Sequence, residues 1–89
     1  MLTEVALWKF PSEDFEAWVE LTGNDFTLDE YRETLDRTAS DLRTDGIIVV
    51  WVPWSVQKMI DELSDRGLEN TTENRAMLIG EAGSEREQN

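Results

Sequence analysis

The sequence predicts a small α/β domain in which about four helices cover a sheet of two or three strands. Two observations predict this class. Residues 3–10 and 47–52 have the apolar character of strands, and the segments between and after them repeat apolar residues at helical spacing. The predicted order is therefore β-α-α-β-α-α. A connection this long favours parallel pairing through a right-handed crossover, although the same elements also fit an α+β arrangement.

The first strand and the first helix are predicted on either side of Pro11. Alternation over Thr3–Phe10 predicts the strand, and the proline ends it. Ser12 can cap a short helix, and Gly23 fits the left-handed position after its last turn. The apolar face of this helix comprises Phe15, Trp18, Val19 and Thr22. A competing interpretation makes Glu16–Leu21 a second strand in a hairpin.

The second helix has the clearest start signal in the chain. Thr27 and Glu30 have the spacing of a capping box, and Phe26 and Tyr31 have the spacing of a hydrophobic staple. The pattern predicts one narrow buried stripe: Leu28, Tyr31, Leu35, Thr38 and Leu42.

The second strand is predicted over Ile47–Val52, where apolar residues do not alternate with polar ones. Such a run is typical of a central strand that is covered on both faces. Trp51 is accordingly expected in the core. Ser55 is the predicted N-cap of the third helix, and Gly67 is its predicted end.

The last helix is expected to begin at Asn70 or Thr71 and to finish near Gly80. Residues 81–89 lack core-forming side chains, so the sequence predicts one compact domain over residues 1–80 and a disordered acidic tail over 81–89. Two strands alone make a marginal sheet. A homodimer that pairs strand edges is therefore a further expectation.

The composition argues against catalysis. The chain of 89 residues has no cysteine and no histidine, which removes thiolate metal sites, cysteine nucleophiles and the commonest general base. The segment Asn24–Glu33 carries oxygen ligands but lacks the spacing of a calcium loop. We therefore expect that the protein is not an enzyme, that it has no catalytic residue, and that it binds neither a metal nor a cofactor.

The charge is strongly negative, with 20 acidic and 8 basic residues and a net charge of −12. This field repels nucleic acid and anionic membranes, so direct binding to either is not expected. The longest apolar run, Ile47–Trp54, is far shorter than the roughly 20 residues of a membrane-spanning helix. The first ten residues also lack the basic start of a signal peptide. A soluble, cytoplasmic protein is expected.

The acidic residues between positions 13 and 33 form the candidate site. They suggest a surface that docks on another protein with a basic surface, such as a nucleic-acid-binding enzyme, in the manner of small phage or mobile-element inhibitors that mimic nucleic acid. The residues of this predicted acidic face are Glu13, Glu16, Glu20, Asp25, Asp29, Glu30 and Glu33.

Two other interpretations remain open. The end of the second strand, at Trp54 and Ser55, would suit a small-ligand-binding or sensory module, because helix N-termini bind anions and ligands gather at the carboxyl ends of parallel strands. Alternatively, the acid surplus is a general solvation property of an assembly subunit from a halophile, whose salty cytoplasm selects acidic surfaces.

Overall fold

The computed structural model describes residues 3–87 and confirms the α/β class and the predicted order of elements. A short 3₁₀ turn at Ser12–Asp14 precedes the first helix, so the predicted cap at Ser12 is wrong: Asp14 occupies the N-cap position, without a side-chain capping bond. The strands and helices are β1 (Glu4–Trp8), α1 (Phe15–Thr22), α2 (Leu28–Thr44), β2 (Ile48–Val52), α3 (Val56–Asp65) and α4 (Thr72–Glu87).

The sheet of the described chain has two strands, which pair in parallel. The register runs from Glu4 opposite Ile48 to Trp8 opposite Val52. Helices α1 and α2 form the connection between the strands, so the long crossover predicted from the sequence is present. The parallel pairing brings the carboxyl ends of β1 and β2 to the same end of the sheet.

The prediction that β2 is a central strand covered on both faces is corrected by the structure. With two strands, each strand is an edge of the sheet. Val52 is 2% exposed, whereas Ile48 at the start of β2 is 39% exposed. Trp51, expected in the core, is half-buried, with the Lys9 ammonium 5.0 Å from its ring centroid. A continuous apolar run shows that a strand is hydrophobic, but it does not show whether the strand lies at the centre or at the edge of a sheet.

The larger core cluster joins the end of β2 to α3 and α4. Its buried members are Val52, Met59, Leu63, Leu78 and Ile79, and Met59 and Leu78 are fully inaccessible. This cluster packs α3 against α4, and α4 in turn contacts both strands. Hydrophobic burial of these side chains is the main force that holds the two helices in place.

The ends of α3 follow the sequence signals. The Ser55 hydroxyl accepts a hydrogen bond of 3.1 Å from the Lys58 amide, which confirms the predicted N-cap. Gly67 adopts a φ of +63°, and the Leu68 amide donates to the Leu63 carbonyl over 2.9 Å. This is the Schellman arrangement expected of a glycine after the last helical turn.

The smaller core cluster is aromatic and lies where β1 meets α1 and α2. Phe10 and Trp18 are buried, and their ring centroids lie 5.3 Å apart. The Tyr31 ring centroid lies 4.9 Å from that of Phe10 and 4.6 Å from that of Trp18. Residues 16–21 are helical, so the hairpin interpretation of this segment is wrong. Gly23 ends α1 with a φ of +73°, as predicted.

Helix α2 begins with the predicted capping box. The Glu30 amide donates to the Thr27 hydroxyl over 3.2 Å, and the Thr27 amide donates to the Glu30 carboxylate over 3.0 Å. The predicted stripe is corrected at one position: Ala39 is 1% exposed, whereas Thr38 is exposed and donates its hydroxyl to the Thr34 carbonyl. Both positions satisfy helical spacing, so periodicity alone could not distinguish them.

Helix α4 continues beyond the predicted domain end at residue 80 and reaches Glu87. Gly83 is buried, Ala82 packs against the larger core cluster, and Glu81 forms an ion pair of 2.7 Å with Arg66. The expectation of a disordered tail is corrected for residues 81–87, and its last two positions lie outside the described residues. The small residue Gly83 permits close contact between α4 and Ala6 of β1.

The single tyrosine gives a spectroscopic test of the aromatic cluster. Burial raises the pKa of the Tyr31 phenol from its ordinary value of 10.0 to about 12. The folded state therefore keeps this proton at pH values where the unfolded state loses it. The resulting stabilisation is complete below about pH 10 and is lost as the pH rises towards about 12.

We therefore expect the ultraviolet absorbance of tyrosinate to rise with a midpoint near pH 12 while circular dichroism still reports a folded protein. Tyr31→Phe should abolish this absorbance change and weaken the alkaline loss of stability. A midpoint near the ordinary value of 10.0 in the folded protein would contradict the burial of the phenol.

Candidate partner-binding surface

All seven residues of the predicted acidic face are exposed. Glu13 lies in the 3₁₀ turn, two residues lie on α1, Asp25 lies in the following loop, and three lie in the first turns of α2. On α1, Glu16 and Glu20 lie two positions before and after the buried Trp18. That spacing is about 200° around a helix, so burial of the indole directs both carboxylates to solvent.

Three of these acids lie around one surface depression, which we call the acidic depression. It has a volume of about 500 Å³, and its acidic members are Glu16, Glu20 and Asp25. Its other lining residues are Phe15, Val19, Asn24 and Phe26. Phe26 is 43% exposed. The acidic depression therefore combines carboxylates with accessible apolar surface.

Two other members of the acidic face already have partners within the protein. Hydrogen bonds from the backbone and the hydroxyl of Thr27 lower the pKa of Glu30, whose carboxylate completes the capping box. Glu33 forms an ion pair of 3.1 Å with Arg37 on the next turn of α2. These two acids stabilise α2 locally, and surface pairs of this kind contribute little beyond that.

The remaining five acids have no cationic partner among the described residues. Between the side chains described for residues 5–84, the ion pairs join Glu33 to Arg37, Glu62 to Lys58 and Arg66, and Glu81 to Arg66. The neighbouring Arg32 donates a hydrogen bond to the Ser12 hydroxyl and forms no ion pair in this part of the chain. The five acids that face solvent without an internal cation are Glu13, Glu16, Glu20, Asp25 and Asp29.

The alternative site at Trp54 and Ser55 is occupied largely by the protein itself. The first amide of α3, that of Val56, donates a hydrogen bond of 3.0 Å to the Asp14 carboxylate. The Trp54 carbonyl accepts a hydrogen bond of 2.8 Å from the Trp8 indole, and the Trp54 ring packs against the larger core. An internal carboxylate thus holds the place at which an anionic ligand was expected.

The role of Asp14 was not predictable from the sequence, because the backbone amide that donates to its carboxylate lies 42 residues away. Asp14 precedes α1, yet its side chain forms no capping bond with that helix. Its position beside the acid-rich start of α1 is consistent with a local capping role. No signal in the sequence distinguishes that role from a long-range one.

Asp14→Ala is expected to lower the free energy of unfolding by about 0.5–2 kcal/mol, the usual effect of losing a helix-capping side chain. The change leaves the half-buried Val56 amide without its acceptor. Urea denaturation followed by tryptophan fluorescence measures the loss. Glu13→Ala removes the exposed neighbouring acid and should have a much smaller effect; equal effects of the two changes would show that the Asp14 contact is unimportant.

Within residues 3–87, no group of three or more acidic side chains is arranged to hold a metal ion. No helix of the same range combines the length and the apolar character that are needed to cross a bilayer. Comparison of the chain with protein-family models, curated proteins and solved structures gave no match.

Proposed function

We propose that the protein is a non-enzymatic binding module whose acidic face docks on a basic surface of another protein. The observation that carries this proposal is the set of five exposed carboxylates that form no ion pair within the described part of the chain, three of which surround accessible apolar side chains in the acidic depression. The apolar part would supply buried area, and the carboxylates would supply steering and orientation.

Electrostatics favours such a complex in two ways. The net charge of −12 attracts a basic partner over distances of about 8–10 Å at ordinary ionic strength, which raises the association rate. Close to the surface, Glu16 and Glu20 lie one helical turn apart and repel each other by a few tenths of a kcal/mol, roughly. A partner cation placed between them relieves that repulsion.

The basic partner that we favour is a nucleic-acid-binding protein, whose groove already accepts a row of negative charges. Successive helical turns carry carboxylates at intervals of about 5.4 Å, similar in scale to the charge spacing along a nucleic-acid strand. In this form of the proposal the protein is an inhibitor that mimics nucleic acid. Competition by double-stranded DNA distinguishes it from docking on any other basic surface.

The proposal is tested by pull-down from a host lysate at low salt with a variant that neutralises the acidic depression. This variant carries Glu16→Gln, Glu20→Gln and Asp25→Asn. We expect it to bind the captured partner about tenfold more weakly, equivalent to about 1.4 kcal/mol, because three carboxylates leave the interface. Double-stranded DNA should displace the wild-type protein from this partner, and affinity should fall between about 0.05 and 0.5 M salt.

The matched control removes the same number of charges from exposed acids outside the acidic face, with Asp41→Asn, Asp65→Asn and Glu69→Gln. This control should retain most of the affinity. Equal weakening by both triple variants would assign the effect to net charge and favour the solvation interpretation. Affinity that is independent of salt would exclude electrostatic docking.

A further inference from the structure

A second depression lies along β1 and shares Asn24 with the acidic depression; we call it the β1 groove. It has a volume of about 410 Å³ and lies between β1, the end of α1 and the first turns of α4. This volume is at the small end of the range of ligand pockets, about 300–1,000 Å³. Its lining residues include Trp8, Trp18, Thr22, Thr72 and Arg75.

Most of the lining of the β1 groove is apolar, and its walls are held in place by the two cores. Trp18 belongs to the aromatic cluster, and Ile79, which is 3% exposed, belongs to the larger core. The Trp8 indole is fixed by its hydrogen bond to the Trp54 carbonyl. Walls anchored in this way are largely formed before a ligand binds, which reduces the entropy lost on binding.

A half-buried cation without an ion pair among the described residues, Arg75, lies at the rim of the β1 groove. The Arg75 guanidinium donates to the Asn70 side-chain oxygen and, over 3.3 Å, to the Thr72 hydroxyl. Both acceptors are neutral, and no carboxylate of the described residues lies within ion-pairing distance of Arg75. By contrast, Arg37 and Arg66 each form ion pairs.

The balance of burial and charge at Arg75 favours an added anion. Burial lowers the pKa of the Arg75 guanidinium, and the nearby Glu73 charge raises it. A guanidinium has five N–H donors, so donors remain for a ligand after two internal hydrogen bonds. A ligand carboxylate can use them in a charge-assisted pair, which is among the stronger hydrogen bonds in proteins.

The position of the guanidinium is set by a short network. The side-chain NH₂ group of Asn70 donates a hydrogen bond of 2.7 Å to the Leu21 carbonyl at the end of α1. The side-chain oxygen of Asn70 accepts a hydrogen bond from Arg75. On the α1 side of the groove, the side-chain NH₂ group of Asn24 donates to the Thr22 hydroxyl over 3.1 Å. Asn70 therefore connects the α1 and α4 walls and holds Arg75 beside the apolar floor.

We propose that the β1 groove binds a small monocarboxylate with an aromatic or branched apolar body. The carboxylate pairs with Arg75, and the apolar body lies against Trp8 and Trp18. The net charge of −12 opposes ligands with several negative charges, so a single carboxylate is favoured over a nucleotide or a polyphosphate. This site adjoins the acidic depression at Asn24 but is lined by none of the seven acids of the acidic face, and it does not depend on the function proposed for that face.

The test uses two-dimensional proton–nitrogen NMR, in which each of the four tryptophans gives one indole N–H signal. The probe is 3-phenylpropionate, titrated to about 20 mM because ligands of this size bind in the millimolar range. We expect saturable shifts of the Trp8 and Trp18 signals and little change at Trp51. The neutral amide of the same compound is the matched probe and should bind at least about fivefold more weakly.

Arg75→Gln should weaken binding of the carboxylate by about tenfold, because the charge-assisted hydrogen bonds are lost. Arg37→Gln, on the exposed side of α2, should leave the affinity unchanged. Circular dichroism checks that both variants fold, and Arg75→Lys, which keeps the charge, should retain part of the binding if Arg75→Gln proves unstable.

Three results would overturn the proposal: no saturable shift, equal affinity for the acid and the amide, or unchanged affinity in a folded Arg75→Gln protein. A short peptide with an apolar C-terminal residue is a further probe. If it shifts the Trp8 and Trp18 signals while 3-phenylpropionate does not, the groove binds peptide ends and the small-molecule assignment is wrong. None of these outcomes affects the pull-down test of the acidic face.

Discussion

Trp18→Ala is expected to lower the free energy of unfolding by about 3–5 kcal/mol, the usual range for removing a buried tryptophan or phenylalanine side chain. Trp18 is 7% exposed, and its ring centroid lies 5.3 Å from that of Phe10 and 4.6 Å from that of Tyr31. The change removes the centre of the smaller core cluster, in which Trp18 of α1 packs with Phe10, Tyr31 of α2 and Val56 of α3.

A loss of this size is a large fraction of the total stability of a small domain, about 5–15 kcal/mol. Urea denaturation followed by far-ultraviolet circular dichroism measures it without depending on the removed fluorophore. Phe26→Ala is the control, because Phe26 is also aromatic but 43% exposed. The control should lose less than about 1 kcal/mol. Similar losses for both variants would contradict the central position of Trp18.

Gly83→Ala is expected to destabilise the protein by about 1–3 kcal/mol, the usual effect of overpacking a tight contact. A Cβ atom added at Gly83 would lie 2.7 Å from the Cβ atom of Ala6 on β1. Neither atom is the end of a flexible side chain, so relief requires α4 to move away from the strand. At a helix position without such a contact, replacement of glycine by alanine ordinarily increases stability.

Gly80→Ala provides the matched control on α4, because nothing lies within 4 Å of the Cβ atom that it would add. This change should stabilise the protein by about 0.5–1 kcal/mol through helix propensity. Adding Ala6→Gly to the Gly83→Ala protein should recover part of the loss, and a double-mutant cycle by thermal unfolding measures that coupling. If both glycine variants are stabilising, the close contact between α4 and β1 is absent.

The features that the sequence predicted correctly depend on groups close together in the chain. The capping box at Thr27 and Glu30, the N-cap at Ser55 and the helix ends at Gly23 and Gly67 all appear in the structure. Each depends on hydrogen bonds between residues a few positions apart, or on a positive φ that glycine adopts without strain. Such signals are readable before any tertiary contact is known.

The features that the sequence did not predict depend on distant contacts. Burial of Ala39 instead of Thr38 is decided by what packs against α2, since both residues suit the helical period. The continuation of α4 beyond residue 80 places Gly83 against Ala6. A pattern of large apolar residues does not indicate this contact, because both residues are small. The exposure of Ile48 follows from the number of strands in the sheet.

The candidate sites divide in the same way. The exposed acids from Glu13 to Glu33 are predictable from composition and helical period, whereas their grouping with Phe26 in one depression is a tertiary property. The hydrogen bond from the Val56 amide to the Asp14 carboxylate joins residues that are 42 positions apart. The β1 groove likewise requires β1, α1 and α4 together, and Arg75 had no pattern around it that indicated a ligand.

By itself, therefore, the sequence determined the α/β class, the order of the helices, the caps of α2 and α3, the parallel pairing of the strands and the acidic exterior, because hydrogen bonding, helical period and charge act locally or as sums over the chain. Only the tertiary structure decided which of those acids lack an internal cation and which N–H and guanidinium groups have internal acceptors. Those outcomes depend on which elements meet in space, and the energies that decide them arise between residues far apart in the chain.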